Sequence, residues 1–273
     1  MKSFFHQAKN GLNIHYQVVE NILPETTVFL HGNVASNRWW IPTQDVFYKL
    51  SKGKNFRGAM VCIEFFGCGK SEAPQSADDF DMPGLAALFN EIIQKNFPEQ
   101  KVNLVGHSTG GFIAAAMTAL SPGLFNKAVL LDPVGAKGLV LDENIKAGFT
   151  AMAADKNITA LALGATIYEN NPETDFFKKI IVEDGFNAVQ KISYWVVQAF
   201  NNLDATQLLK KSTTETLVLH GEHDILLSRD ASEELAVKYL QNAKFELVPG
   251  HGHCMNVENP NSFVSKISGF LFN

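Results

Sequence analysis

The feature that most constrains this chain is a series of short apolar runs that stop at, or just before, a glycine or an aspartate. Residues 26–30 stop at His31-Gly32, residues 59–63 run out before Gly67, and residues 102–105 stop at Gly106. Residues 127–131 stop at Asp132-Pro133, 216–219 at His220-Gly221, and 245–248 at Pro249-Gly250. Segments of helical period lie between them. Residues 82–97 place Leu85, Leu88, Phe89, Ile92 and Ile93 on one face, and 112–120, 232–240 and 262–272 repeat that spacing. Strands alternating with helices imply an α/β fold: a mostly parallel central sheet with crossover helices on both faces. Residues 3–20, folding back around Asn10-Gly11, add an N-terminal hairpin. In such sheets ligands bind at the carboxyl ends of the strands, so the chemistry is expected just after each run.

One stretch breaks the alternation. Residues 135–211 hold no convincing strand but carry helical patterns with aromatic and apolar side chains, among them Phe149, Met152, Tyr168, Phe176, Trp195 and Phe200. This divides the chain into a core of residues 1–134 and 212–273 and an inserted helical cap, or lid, of residues 135–211 over the active edge of the sheet. An all-helical extension packed on the sheet is the plainer alternative.

Composition narrows the function. With 46% apolar and 19% charged residues the chain can bury a large core, and its 21 phenylalanines suggest apolar walls as well. A formal charge of -5 offers no basic patch for a phosphate backbone, which argues against a nucleic-acid partner. Cys62, Cys68 and Cys254 are odd in number and lack metal-ligand spacing, so neither a disulfide framework nor a metal site is expected. The N-terminus has no apolar export region and no later stretch is long enough to span a bilayer. A cytoplasmic protein without a membrane partner is expected; an oligomer is compatible with the sequence, though no pattern marks an interface.

The residues that could carry chemistry follow the strands. Gly106-His107-Ser108-Thr109-Gly110 joins a strand to a helix within a residue or two, which forces Ser108 into a strained turn and lifts its hydroxyl to a helix N-terminus. A serine hydroxyl needs a base to become a nucleophile. Of eight histidines, His253 and His251 lie in the loop after the last strand, where an imidazole can reach Ser108. His107 is expected to be buried beside the serine, and His6 and His15 to be surface residues of the hairpin. His220 and His223 flank the candidate acid and are expected to hold its loop. An acid must then orient the imidazole. Asp224 is the first candidate, with Glu222 beside it and Asp132 as the rival after the preceding strand. The oxyanion needs two amide donors, for which Thr109 and Asn33 are placed by the elbow and by the turn at Gly32. His31 and Trp39 from that loop, and Trp195 from the insertion, are expected to contact substrate.

The motifs resemble those of the α/β-hydrolase superfamily, in order along almost the whole chain: His31-Gly32-Asn33, Phe66-Gly67-Cys68-Gly69-Lys70-Ser71, Gly106-His107-Ser108-Thr109-Gly110-Gly111, Gly221-Glu222-His223-Asp224, and Gly252-His253 followed by Glu258-Asn259-Pro260. The resemblance assigns the base to His253 over His251, and Glu64 to the acidic position that opens the Gly-x-Gly-x-Ser segment, displaced by one residue. It implies the α/β-hydrolase fold with a Ser108–His253–Asp224 triad and no cofactor. Members with aspartate at the elbow, the haloalkane dehalogenases and epoxide hydrolases, are disfavoured by Ser108.

The expected activity is therefore hydrolysis of small to medium apolar carboxylic esters, lactones included, through an acyl-enzyme. The same family contains carbon–carbon bond hydrolases, which need a cation for a substrate carboxylate (Arg38 and Arg229 are candidates), and cofactor-free oxidases and peroxidases with the same triad. It also contains receptors that keep the triad and turn over slowly.

Overall fold

The computed structural model describes residues 1–98 and 100–273. Its sheet is built from β1 (Lys2–Gln7), β2 (Asn13–Leu23), β3 (Thr27–Leu30), β4 (Gly58–Ile63), β5 (Val102–His107), β6 (Phe125–Leu131), β7 (Glu215–Gly221) and β8 (Ala243–Val248). They lie in the order β1-β2-β4-β3-β5-β6-β7-β8, antiparallel at β1–β2 and β2–β4 and parallel from β4 onward. The register of β2 slips between Val19 and Leu23, where Asn21 takes a φ of 62°, as a bulge requires.

The central strands are apolar at nearly every position because both faces of the sheet are covered. In β3, Val28 and Leu30 join one buried cluster and Phe29 the other; in β6, Ala128 and Leu130 oppose Val129 and Leu131 in the same way. That is the two-residue period of a strand packed on both sides. Helices α1 (Ile41–Ser51), α2 (Met82–Asn96) and α3 (Thr109–Leu120) alternate with the early strands. The region between β6 and β7 holds α4 (Glu143–Ala154), α5 (Lys156–Ala165), a π-helical turn Phe177–Ile181 running into α6 (Val182–Ile192), α7 (Trp195–Phe200) and α8 (Thr206–Leu209). Then come α9 (Arg229–Glu234), extended by a second π turn, α10 (Met255–Glu258) and α11 (Pro260–Leu271). Helices α2 and α3 pack with the insertion on one face, and α1 and α11 on the other. Among the described residues no helix is long and apolar enough to cross a membrane.

Two expectations need correction. Helix α1 has no counterpart in the sequence reading: it begins at Ile41 with Pro42 in its first turn, a favoured place for proline, but buries only Thr43, Val46 and Phe47 and so leaves a weak apolar period. His6 and His15 are buried, not exposed. Strand β2 is sandwiched between β1 and β4, and its inward register brings His15 Nδ1 to 2.6 Å from Glu64 Oε2. Burial raises the Glu64 carboxyl pKa, but His15 and the Lys70 amide more than offset it, holding the group below its usual range. The Lys70 amide donates to Glu64 at 2.8 Å, so Glu64 does brace the glycine-rich segment it was assigned to.

Candidate active site

The turn from β5 into α3 sets the position of Ser108, which has φ 56° and ψ -119°, an unfavourable region for a residue with a side chain. Its amide donates to Leu131 O at 2.9 Å and its carbonyl accepts from Gly111 N, also at 2.9 Å, which fixes the strained turn from both sides. The flanking glycines are sterically required: a Cβ at Gly106 would meet Gly110 O at 2.2 Å, and one at Gly110 would meet Leu30 O at 2.3 Å. Thr109 opens α3, where first-turn amides have no intrahelical acceptor and the helix end carries partial positive charge.

The loops after β7 and β8 bring a carboxylate to an imidazole. His253 Nδ1 donates to Asp224 Oδ2 at 2.8 Å, and both side chains are almost fully buried. Burial raises the Asp224 pKa; the bond to His253 and the amides of Leu226 and Leu227 outweigh it and hold the group below the ordinary range. The imidazole's other nitrogen has no hydrogen-bond partner among the described residues, and Ser108 and His253 line one cavity of about 200 Å³. His107 donates from Nε2 to His253 O at 2.8 Å, bracing the loop from below. Burial pushes its pKa down to about 3, so this bond is made by the neutral ring.

Glu258 holds the same loop on either side of His253. Its Oε2 accepts the Gly252 amide at 2.8 Å, and its Oε1 accepts the Cys254 amide at 3.1 Å and the Tyr168 amide of the inserted region at 2.9 Å. His251, the rival base, points instead toward Glu258 at 3.7 Å. The rival acid, Asp132, is fully buried with φ 44°, accepts the Gly221 amide at 2.7 Å, and leaves Oδ2 unpartnered. Burial, then the neighbouring Asp224 charge, pushes its carboxyl well above the usual range. Polar atoms of Asp132, His220 and Asp224 lie within 4.8 Å of one another. Each is held by a different group: His220 Nδ1 by Ser232 Oγ at 3.0 Å, Asp132 by the Gly221 amide and Asp224 by His253. His223 lies outside that trio, stacked on Tyr168 with ring centroids 4.2 Å apart.

Not all expected residues converge. Asn33 lines the cavity with Ser108 and so does Trp39, whereas Trp40 packs below the sheet against Phe29. His31 has both ring nitrogens occupied, Nδ1 donating to Gly32 O at 2.7 Å and Nε2 accepting from Phe65 N at 3.3 Å, so it shapes the loop from within. Trp195 packs against the main core, while Val196, Val197 and Phe200 from the same helix line a second cavity of about 480 Å³ beside Ser108. Leu226, two residues past Asp224 and 56% exposed, lines both cavities and was not singled out from sequence. Its signal was the apolar run Ile225-Leu226-Leu227 directly after Asp224, in an otherwise polar loop. Cys254 is a buried free thiol in the wall of the smaller cavity, its pKa raised by burial.

A strained serine at a strand-to-helix turn, followed along the chain by an aspartate and a histidine bonded to each other, defines a protein of the nucleophile-elbow class. The chain belongs to the α/β-hydrolase fold family, whose model matches residues 27–260. It is 27% identical over 279 residues to a non-heme chloroperoxidase of Burkholderia pyrrocinia, covering 96% of this chain and 97% of that protein. To a non-heme haloperoxidase of Rhodococcus erythropolis it is 28% identical, with 98% of each chain covered. An esterase structure from Exiguobacterium antarcticum superposes with a TM-score of 0.80 at 21% identity, covering 98% of this chain and 99% of the other.

Proposed function

We propose that this protein is a serine hydrolase that cleaves uncharged, apolar carboxylic esters, lactones included, with residues 135–211 acting as the cap of its substrate pocket. The observation that carries the reading is the convergence of Ser108 and His253 on one cavity with Asp224 bonded to the far nitrogen of that imidazole. Ser108 Oγ attacks the ester carbonyl carbon while His253 takes its proton. The carbon–oxygen bond to the alcohol then breaks and His253 returns the proton to the leaving alkoxide. Water, deprotonated by His253, releases the acid from Ser108. The amides of Asn33 and Thr109 receive the oxyanion, each donor contributing roughly 3–4 kcal/mol to lowering the barrier.

The uncharged substrate is supported by the walls. Neither cavity that contains Ser108 is lined by Lys, Arg, Asp or Glu among the described residues. Arg38 is bound to Asp184, and Arg229 is a half-exposed partner of Glu233, so neither candidate cation faces the serine. This favours ester cleavage over carbon–carbon cleavage of a carboxylate-bearing substrate. A cytoplasmic setting agrees with three free, buried cysteines and a charge of -5.

The test is labelling of wild type and Ser108→Ala with a fluorophosphonate, read by intact mass. One adduct on wild type and none on the variant is expected. A well-folded wild type that takes no label would overturn the reading and favour a binding protein that keeps the fold.

A further inference from the structure

Ser108 stands on the boundary between two cavities of unequal size, about 200 Å³ and about 480 Å³. Asn33, Phe149, Met152 and Leu226 line both. The groups proposed to carry the chemistry are divided between them. His253 lines the smaller cavity, whereas Thr109, at the start of α3, lines the larger.

The order of bond changes then decides which half of an ester occupies which cavity. When the carbonyl carbon has bonded to Ser108 Oγ, the electron pair of the breaking carbon–oxygen bond passes to the alkoxy oxygen. That oxygen receives the proton from His253 and must lie within hydrogen-bond reach of the imidazole, about 2.6–3.2 Å. The alcohol half therefore extends on the side lined by His253. The acyl half stays on Ser108 and extends the other way. We infer that the enzyme is built for esters of a short alcohol with a longer, uncharged, unbranched acyl chain, the alcohol seated in the smaller cavity and the acyl chain in the larger. The larger cavity has more than twice the volume of the smaller, which sets the relative lengths of the two halves. The acyl cavity is walled by Val197, Phe200 and Leu227 with no charged side chain, which matches a hydrocarbon chain.

This assignment rests on the serine-hydrolase reading, and the experiment separates the two. Ethyl octanoate and octyl acetate contain the same atoms and differ only in which half is long. The expected kcat/KM for ethyl octanoate is higher by roughly tenfold or more. Equal rates, the reverse preference, or no turnover of either ester by enzyme that takes the fluorophosphonate would overturn the assignment and leave the nucleophile standing. Absence of the label would sink both.

Two variants locate the halves. Gly148 on α4 lines the larger cavity and a Cβ there meets nothing within 4 Å, so Gly148→Phe is the variant chosen to add bulk to it. It should cut turnover of ethyl octanoate by roughly tenfold while ethyl acetate changes by less than about twofold. Ala162→Leu, on α5 at the smaller cavity, should instead cut butyl acetate and spare ethyl acetate. If either variant affects the other half of the substrate, the cavities have been assigned the wrong way round.

Discussion

Arg38 and Asp184 lie 146 residues apart and form a half-buried clasp between the loop after β3 and helix α6. Arg38 Nε is 3.0 Å from each carboxylate oxygen, its terminal nitrogen bonds the same group, and Ser36 Oγ donates to Asp184 at 2.5 Å. Between β3 and the clasp lies Val34 with φ 46°, a conformation that a β-branched residue adopts only when its surroundings impose it. The neighbouring Gly185 lets α6 approach that loop: a Cβ there would come within 3.2 Å of Val34 O. The inserted helices thus hold the segment that presents Asn33.

The clasp is asymmetric, and truncation should expose that. The Asp184 side chain is 7% exposed and that of Arg38 44%. Arg38→Ala strands a carboxylate in the interior with only Ser36 as donor, a cost of about 2–3 kcal/mol. Asp184→Ala frees a guanidinium that already reaches water, a cost of about 1 kcal/mol. Urea unfolding of both variants measures this directly. Equal losses would mean that the pair contributes no more than an exposed ion pair.

Asp132 should leave its mark on the pH dependence of stability. Its folded pKa is raised, so the native state binds more protons than the unfolded chain above the ordinary carboxyl range. Its contribution is fully present below the unfolded pKa and is lost as pH rises toward the folded one, by at most about 1.4 kcal/mol per pH unit. Asp132→Asn keeps an acceptor for the Gly221 amide and replaces the retained proton with N–H donors. The variant should gain on wild type as pH climbs from 4 to 8 in thermal melts. Parallel melting curves across that range would show that Asp132 ionises normally.

Glu258 sets the position of His253 through the backbone, not through its ring. Three amides share its two oxygens, and the glutamine variant keeps one acceptor oxygen. Glu258→Gln should slow fluorophosphonate labelling of Ser108 by about tenfold and lower kcat, with KM changed by less than about twofold. Glu258→Ala should be slower still. A change in KM alone would assign Glu258 to the insertion's shape and not to the imidazole.

The sheet and the elbow were legible in the sequence because each depends on neighbours along the chain. An apolar run needs burial on two faces, and Gly106 answers a steric demand from Gly110 four residues on, although the demand on Gly110 itself comes from Leu30 in β3. The loops that carry Asp224 and His253 were legible for a related reason, since each follows a strand whose end the sequence marks, whereas the choice of His253 over His251 came from the family resemblance. What could not be read depends on pairs far apart in sequence. His15 looked like a surface residue because its partner, Glu64, is 49 positions away and meets it only once β2 and β4 are adjacent. The same holds for Asp184 and Arg38. In α7 the sequence picked the right helix, but only packing decides that Val196, Val197 and Phe200, not Trp195, face the cavity.

The insertion leaves the sheet after β6 and returns at β7, the adjacent parallel strand. Its residues therefore replace an ordinary crossover without altering any strand pairing, which makes the segment a cassette. If the segment is the cap proposed above, exchanging it for one of different shape would alter which substrates enter while Ser108, Asp224 and His253 stay on the unaltered scaffold. The graft would need to bring its own counterparts to Asp184 and to the Tyr168 amide, because Ser36, Arg38 and Glu258 on the scaffold would otherwise face the new segment unmatched.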